Sequence, residues 1–186
     1  MNKFKKDGRK LRSESTSDHI INTAIKIARK GNIDNMSFNS IAKEANIGTR
    51  TIFRHFKDQE TLQESLDRKL GEEFTSSFSL INKEDKLENR IENVSSTLIK
   101  LYINNQNIIR WNLRNIWTDK NLRKNMFSWN KVLRNFLYSI LPEIKDKKKS
   151  EREIIFECMS FIFFLRLNVI QGLNERQIKE IFILNT

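Results

Sequence analysis

A single proline, Pro142, and five glycines punctuate the 186 residues of this chain. So few breakers leave little room for the tight reversals of a sheet protein, and apolar residues recur at intervals of three and four. The expected fold is all-α, with about nine helices and neither a confident strand nor an internal repeat. Hydrophobic residues make up 38% and charged residues 31%, the balance of a chain that builds a core.

The spacing sets the expected elements. Residues 1–14 are read as a basic flexible arm: Lys3, Lys5, Lys6, Arg9, Lys10 and Arg12 face only Asp7 and Glu14. Two readings of it fit, a solvated tail or an arm lying on a DNA backbone or minor groove. Ser15, Thr16 and Ser17 offer caps for a first helix over 17–30, with Ile21, Ile25 and Ala28 on one face and Gly31 as its stop. Leu62, Leu66, Leu70 and Phe74 run as an i+4 stripe behind an Asp58 cap. Residues 79–85 read as a linker. Leu87 to Leu101 predict a fifth helix broken at Asn104–Asn107, with a short sixth around Ile109–Ile116. A seventh starts at a Thr118–Asp119 cap and ends at Pro142. An eighth, capped by Ser150 with Glu153, is apolar nearly all round, and Asn174 with Gln177 caps a ninth.

Residues 37–56, SFNSIAKEANIGTRTIFRHF, carry the functional signal. Ser37 caps a short helix bearing Phe38, Ile41, Ala42 and Ala45. Asn46-Ile47-Gly48 supplies a turn whose Asn and Gly tolerate left-handed backbone. A second helix over 49–55 buries Ile52, with Phe56 at i+4, and turns hydrogen-bonding and basic side chains outward. That is the build of a helix-turn-helix, whose second helix reads the DNA major groove. Arg50 is the candidate for a bidentate guanine contact, with Thr49 and Thr51 adding hydroxyl or methyl contacts. Arg54, His55, Lys57 and the Ser37 hydroxyl are expected on phosphates, and Phe53 against the sugar-phosphate edge.

This segment resembles the tetracycline-repressor (TetR) family of bacterial regulators. The resemblance is carried by Ile21, Ala24, Gly31, Ser37, Ile41-Ala42, Ala45, Ile47, the run Thr51 to Phe56, and Glu60 with Leu62. Order and spacing agree over about 50 residues; beyond them only length, helical character and the apolar penultimate helix agree. One position departs: Gln59 stands where many members carry a phosphate-touching Lys, so a charge-assisted contact is lost there. The resemblance implies a DNA-binding domain over 15–60 and an effector-binding and dimerisation domain over 61–186. It further implies a homodimeric repressor on a near-palindromic operator, released by a small molecule.

The dimer surface is expected on the eighth and ninth helices, as a four-helix bundle across a two-fold axis; the other reading buries the eighth helix within one subunit. Trp111, Trp117, Trp129 and Phe161 are candidate pocket walls, beside Phe127 and Phe164, with Arg114 and Arg166 as candidate partners of an anionic group. Arg166, if buried, needs such a partner.

The net charge of +11 favours a polyanionic partner. It keeps a rival open, a non-specific binder of nucleic acid or a membrane surface; another is an activator using the same DNA site. Catalysis is not expected. Only two histidines and one cysteine are present, without metal-ligand spacing or a glycine-rich phosphate loop, so no cofactor and no metal are expected. Cys158 alone excludes an internal disulfide. The longest apolar stretch, Phe161–Leu165, is too short to span a membrane, and a cytoplasmic protein is expected.

Overall fold

A computed structural model describes residues 8–186. Among the described residues the fold is all-helical, as expected. The helices are α1 (Gly8–Arg29), α2 (Phe38–Ala45), α3 (Thr49–His55), α4 (Gln59–Ser79), α5 (Leu87–Asn115), α6 (Lys120–Ile140), α7 (Lys149–Cys158), α8 (Phe161–Leu165) and α9 (Glu175–Leu184). Short 3₁₀ turns occupy Ile33–Asn35 and Pro142–Asp146, and one π turn follows α8 over Arg166–Ile170. The chain divides into two compact units, Met1–Glu73 and Phe74–Thr186.

In the first unit, Ile20, Ile21, Ala24 and Ile25 of α1 meet Phe38, Ile41 and Ala42 of α2, Ile52 of α3, and Leu62 and Leu66 of α4. Ala24 and Ala42 carry no more than a methyl group, which lets backbones approach closely. His19 Nε2–H donates to the Ala45 carbonyl at 3.0 Å, tying α1 to the end of α2. Gly31, at φ 86°, ends α1 as expected, since only a residue without a Cβ sits there without strain.

The second unit packs α5, α6, α7, α8 and α9 around Val94, Leu98, Tyr102, Leu137, Phe164 and Phe182. Arg90 of α5 is only 8% exposed. Its guanidinium donates to the Asp85 carbonyl at 3.0 Å, to the Ile140 carbonyl at 2.5 Å and to both carboxylate oxygens of Glu143. The buried charge is thus satisfied on every side, the condition for keeping it.

Four boundaries differ from the sequence expectation. α1 begins at Gly8, so Ser15, Thr16 and Ser17 lie inside it rather than capping it, and residues 8–14 of the expected arm are helical. Residues 1–7 of that arm lie outside the described residues. α5 runs unbroken through Asn104–Asn107, where the Asn105 side chain returns to the Leu101 carbonyl at 2.9 Å and so bonds within the helix instead of ending it. The single eighth helix is instead α7, α8 and the π turn, broken where Ser160 accepts from Phe163 N and recaps the chain. Ser150 lies in the first turn of α7; Glu151 caps its start through Lys148 N, and Glu153 pairs with Arg134.

Candidate functional sites

Residues 37–56 form the expected pair of helices. Ser37 Oγ accepts from Ser40 N at 3.2 Å while Ser40 Oγ accepts from Ser37 N, a reciprocal cap that starts α2. Asn46 closes α2 in the left-handed region at φ 53°. Gly48 does not share that conformation: its φ is −71°, and a Cβ there would meet nothing within 4 Å. What Gly48 provides is open space at the start of α3, not backbone freedom.

Helix α3 is held by its inner side. Ile52 is fully buried and Phe56 nearly so. Its other side chains are left outward by the helical repeat. Arg50, Arg54 and Lys57 are exposed, and Thr51 is half-buried. Thr49 donates to Asn39 Oδ1 at 3.3 Å, which brings Asn39, a residue not singled out from the sequence, to the same surface. Phe53 is 58% exposed and meets Phe38 edge-to-face, ring centroids 5.0 Å apart. His55 is half-buried, and its Nε2 is buried without a hydrogen-bond partner. Burial, and then the neighbouring Arg54 charge, holds its imidazole below the usual range. Arg54 and His55 occupy the last turn of α3, where the helix dipole favours positive charge. Asp58 accepts from Thr61 N at 2.9 Å and starts α4, as expected.

The candidate effector residues are not gathered in one place. Phe161 is core, against the Tyr102 and Phe164 rings. Trp129 is half-buried and meets Phe74 edge-to-face at 5.5 Å. Trp111 is half-buried on α5, whereas Trp117 is 82% exposed. Arg114 and Arg166 are exposed, so the condition under which Arg166 needs a buried partner does not arise. The buried arginine is Arg90, which sequence reasoning missed. Its signal was its place three residues after Leu87, among the apolar positions of α5. Tyr102, whose hydroxyl donates to the Met159 carbonyl at 2.6 Å, was missed as well; burial raises its pKa.

Among the described residues no helix is long and apolar enough to cross a membrane.

Residues 20–66 match the model of the bacterial regulatory proteins of the tetR family. No curated protein matches the chain. Among solved structures, a protein from Mesorhizobium loti assigned to the tetR-family transcriptional regulators has a TM-score of 0.72 at 15% identity, over 94% of each chain. The transcriptional regulator FadR from Bacillus subtilis, in complex with stearoyl-CoA, has a TM-score of 0.65 at 21% identity, over 90% of this chain and 98% of its own. The multidrug binding protein EbrR, complexed with imidazole, has a TM-score of 0.61 at 15% identity, over 96% of this chain and 90% of its own. At these identities the likeness is one of fold. The α2–α3 pair lies inside the matched segment, so residues 20–66 are similar to the tetR family of bacterial regulatory proteins, and over the rest of the chain the likeness is one of fold.

Proposed function

We propose that this protein is a transcriptional regulator of the tetR type, a homodimeric repressor. It binds a near-palindromic operator through α3 and leaves it when a small molecule binds the Phe74–Thr186 unit. The observation that carries the reading is α3 itself: a helix pinned by Ile52 that turns Arg50 and Arg54 to solvent, with Lys57 exposed just past its end. In this reading Arg50 reads a base edge beside Thr49 and Thr51. Ser37, Phe53, Arg54, His55 and Lys57 hold the sugar-phosphate backbone. The Ser37 hydroxyl is already engaged in its cap, so any phosphate it meets must share that oxygen.

One short helix gives limited affinity, and two related by a two-fold axis give the spacing of an inverted repeat. Exposed Ile154, Ile162, Val169, Ile170 and Leu184, on α7 to α9 and the π turn, support pairing through this end of the chain. The stearoyl-CoA and imidazole complexes of FadR and EbrR support a ligand-responsive second unit. Release then requires only that the ligand bind one of two dimer conformations more tightly.

The test is selection of sites from a random DNA pool at physiological salt, with Arg50→Ala in parallel. An inverted-repeat consensus is expected, with Arg50→Ala losing roughly 1–3 kcal/mol of discrimination at one base pair. Binding without consensus that vanishes as salt rises would refute the reading, because charge alone would then account for it.

A further inference from the structure

Helix α6 carries five cationic residues and no acidic one. Lys120, Arg123, Lys124 and Lys131 line a depression of about 430 Å³, together with Ser128 and Phe127. Phe127 is 71% exposed and stands among these cations on the outer face of α6. None of these four cations forms an ion pair among the described residues. Arg123 is held instead by main-chain oxygens, donating to Ile116 at 3.3 Å and Trp117 at 3.0 Å. Its charge is oriented but not neutralised.

This arrangement works against the helix. Lys120 sits in the first turn of α6, at the positive end of its dipole, and Lys120 and Lys124 are like charges one turn apart. An anion at this end would relieve both penalties.

A second depression, about 380 Å³, lies between α6 and α7 and shares Phe127 and Lys131 with the first. Its lining mixes apolar Leu133 and Phe156 with Asn130, Glu157 and Ser160. The Arg134 guanidinium lies 4.4 Å above the Phe156 ring and pairs with Glu153 at 2.5 Å, closing one wall. An alkyl chain has no use for these amide, hydroxyl and carboxylate groups. A nucleobase does, since it has a flat face and both donor and acceptor edges. The carboxylates repel a phosphate from this groove and leave it to the cations of α6. Arg123 and Lys124 lie one turn before Phe127 and Lys120 two turns before it, about 5–10 Å along the axis, within reach of a ribose and a short phosphate chain.

We propose that the outer face of α6, with the α6–α7 groove, is a binding site for a nucleoside phosphate. The base lies against Phe127 and enters the groove; the phosphates lie on Lys120, Arg123 and Lys124. Ile154, Ile162 and Val169, offered above for pairing, line neither depression.

Calorimetry on the full chain at physiological salt tests this with three probes: ADP, adenosine and pyrophosphate. ADP is expected to bind once per chain, at least tenfold tighter than either fragment. Phe127→Ala should weaken ADP roughly tenfold while leaving pyrophosphate unchanged, since it removes only the stacking face. Lys124→Gln should weaken ADP and pyrophosphate alike by several-fold. Arg50→Ala controls for anions on the recognition helix and should change neither. All three sites are exposed, so folding is not at stake. The proposal is overturned if ADP binds no tighter than pyrophosphate, or if Arg50→Ala abolishes binding that Lys124→Gln retains. Operator binding by the same Lys124→Gln protein is read separately and bears only on the repressor reading.

Discussion

Replacing Arg90 with Met should be the costliest single charge deletion in the second unit. Methionine matches much of the arginine stem, so little cavity opens. What is lost is polar: the Ile140 carbonyl, on a residue only 1% exposed, loses its guanidinium donor, and Asp85 loses its contact as well. An orphaned buried acceptor together with lost charge-assisted bonds gives about 2–3 kcal/mol. Glu143→Gln is milder. Its side chain is 42% exposed, the amide still accepts, and Arg90 keeps both carbonyls, so about 1 kcal/mol or less is expected. All three tryptophans lie in the Phe74–Thr186 unit, so tryptophan fluorescence during heating isolates this unit. A loss of about 2–3 kcal/mol should lower Tm by roughly 10 °C for a unit of this size. Acid should narrow the gap between wild type and variant. The hydrogen bond from Arg90 holds Glu143 below the usual carboxylate range, so its stabilisation is complete above that range and is lost as pH falls through the folded value. The reasoning is refuted if Arg90→Met costs under about 1 kcal/mol, or if Glu143→Gln costs as much as Arg90→Met.

Gly48→Ala should leave thermal stability within about 0.5 kcal/mol, because a Cβ meets open space at an ordinary φ. Operator affinity should nonetheless fall, since that space faces whatever docks on α3; unchanged affinity in a gel-shift titration would place the DNA elsewhere. His55→Gln should flatten the pH dependence of the stability of the Met1–Glu73 unit, the head of the chain. A folded-state imidazole held below its free value binds fewer protons than the unfolded chain, so wild-type stability is full above about pH 6.5 and declines as pH falls below it. A denaturation series showing the same slope in both proteins would exclude His55 as its source. Tyr102→Phe should cost about 1–2 kcal/mol by stranding the Met159 carbonyl, both groups being buried. Tryptophan-monitored urea unfolding with an unchanged midpoint would show that carbonyl to be satisfied otherwise.

The head was legible because its signals are local. Ser37, Asn46, Asp58 and the 41/42/45/52/56 apolar set each act within a turn or two, and each lies where its chemistry requires. The second unit was less legible because its decisive contacts span the chain. Arg90 meets Ile140 and Glu143 some fifty residues on, and Tyr102 meets Met159 across a similar gap; neither pairing leaves a periodic trace. Boundaries slipped for the same reason. Three serine-type residues before an apolar run read as a cap, but nothing in the run of residues from Gly8 forbade an earlier start. The break at Ser160 was hidden because the apolar pattern continues across it and only the hydroxyl's return to Phe163 N marks the new helix.

Charge placement separates the two basic surfaces of this protein more sharply than charge count does. On α3 the cation Arg54 falls in the last turn, where the helix dipole favours it by about 0.3–1 kcal/mol, whereas burial works against charge on His55 beside it. Local stability accounts for Arg54 before the phosphate contact proposed for it. On α6 Lys120 falls in the first turn, where the same dipole opposes it by a similar amount, and Arg123 and Lys124 crowd the next turn. Asp119 caps that end through Asn121 N and Leu122 N, and one carboxylate does not balance Lys120, Arg123 and Lys124. A net opposing charge of this kind is retained at a cost to the helix. Arg54 is favoured where it stands with or without DNA, whereas Lys120 is opposed where it stands, and an anion bound at that end would offset the opposition.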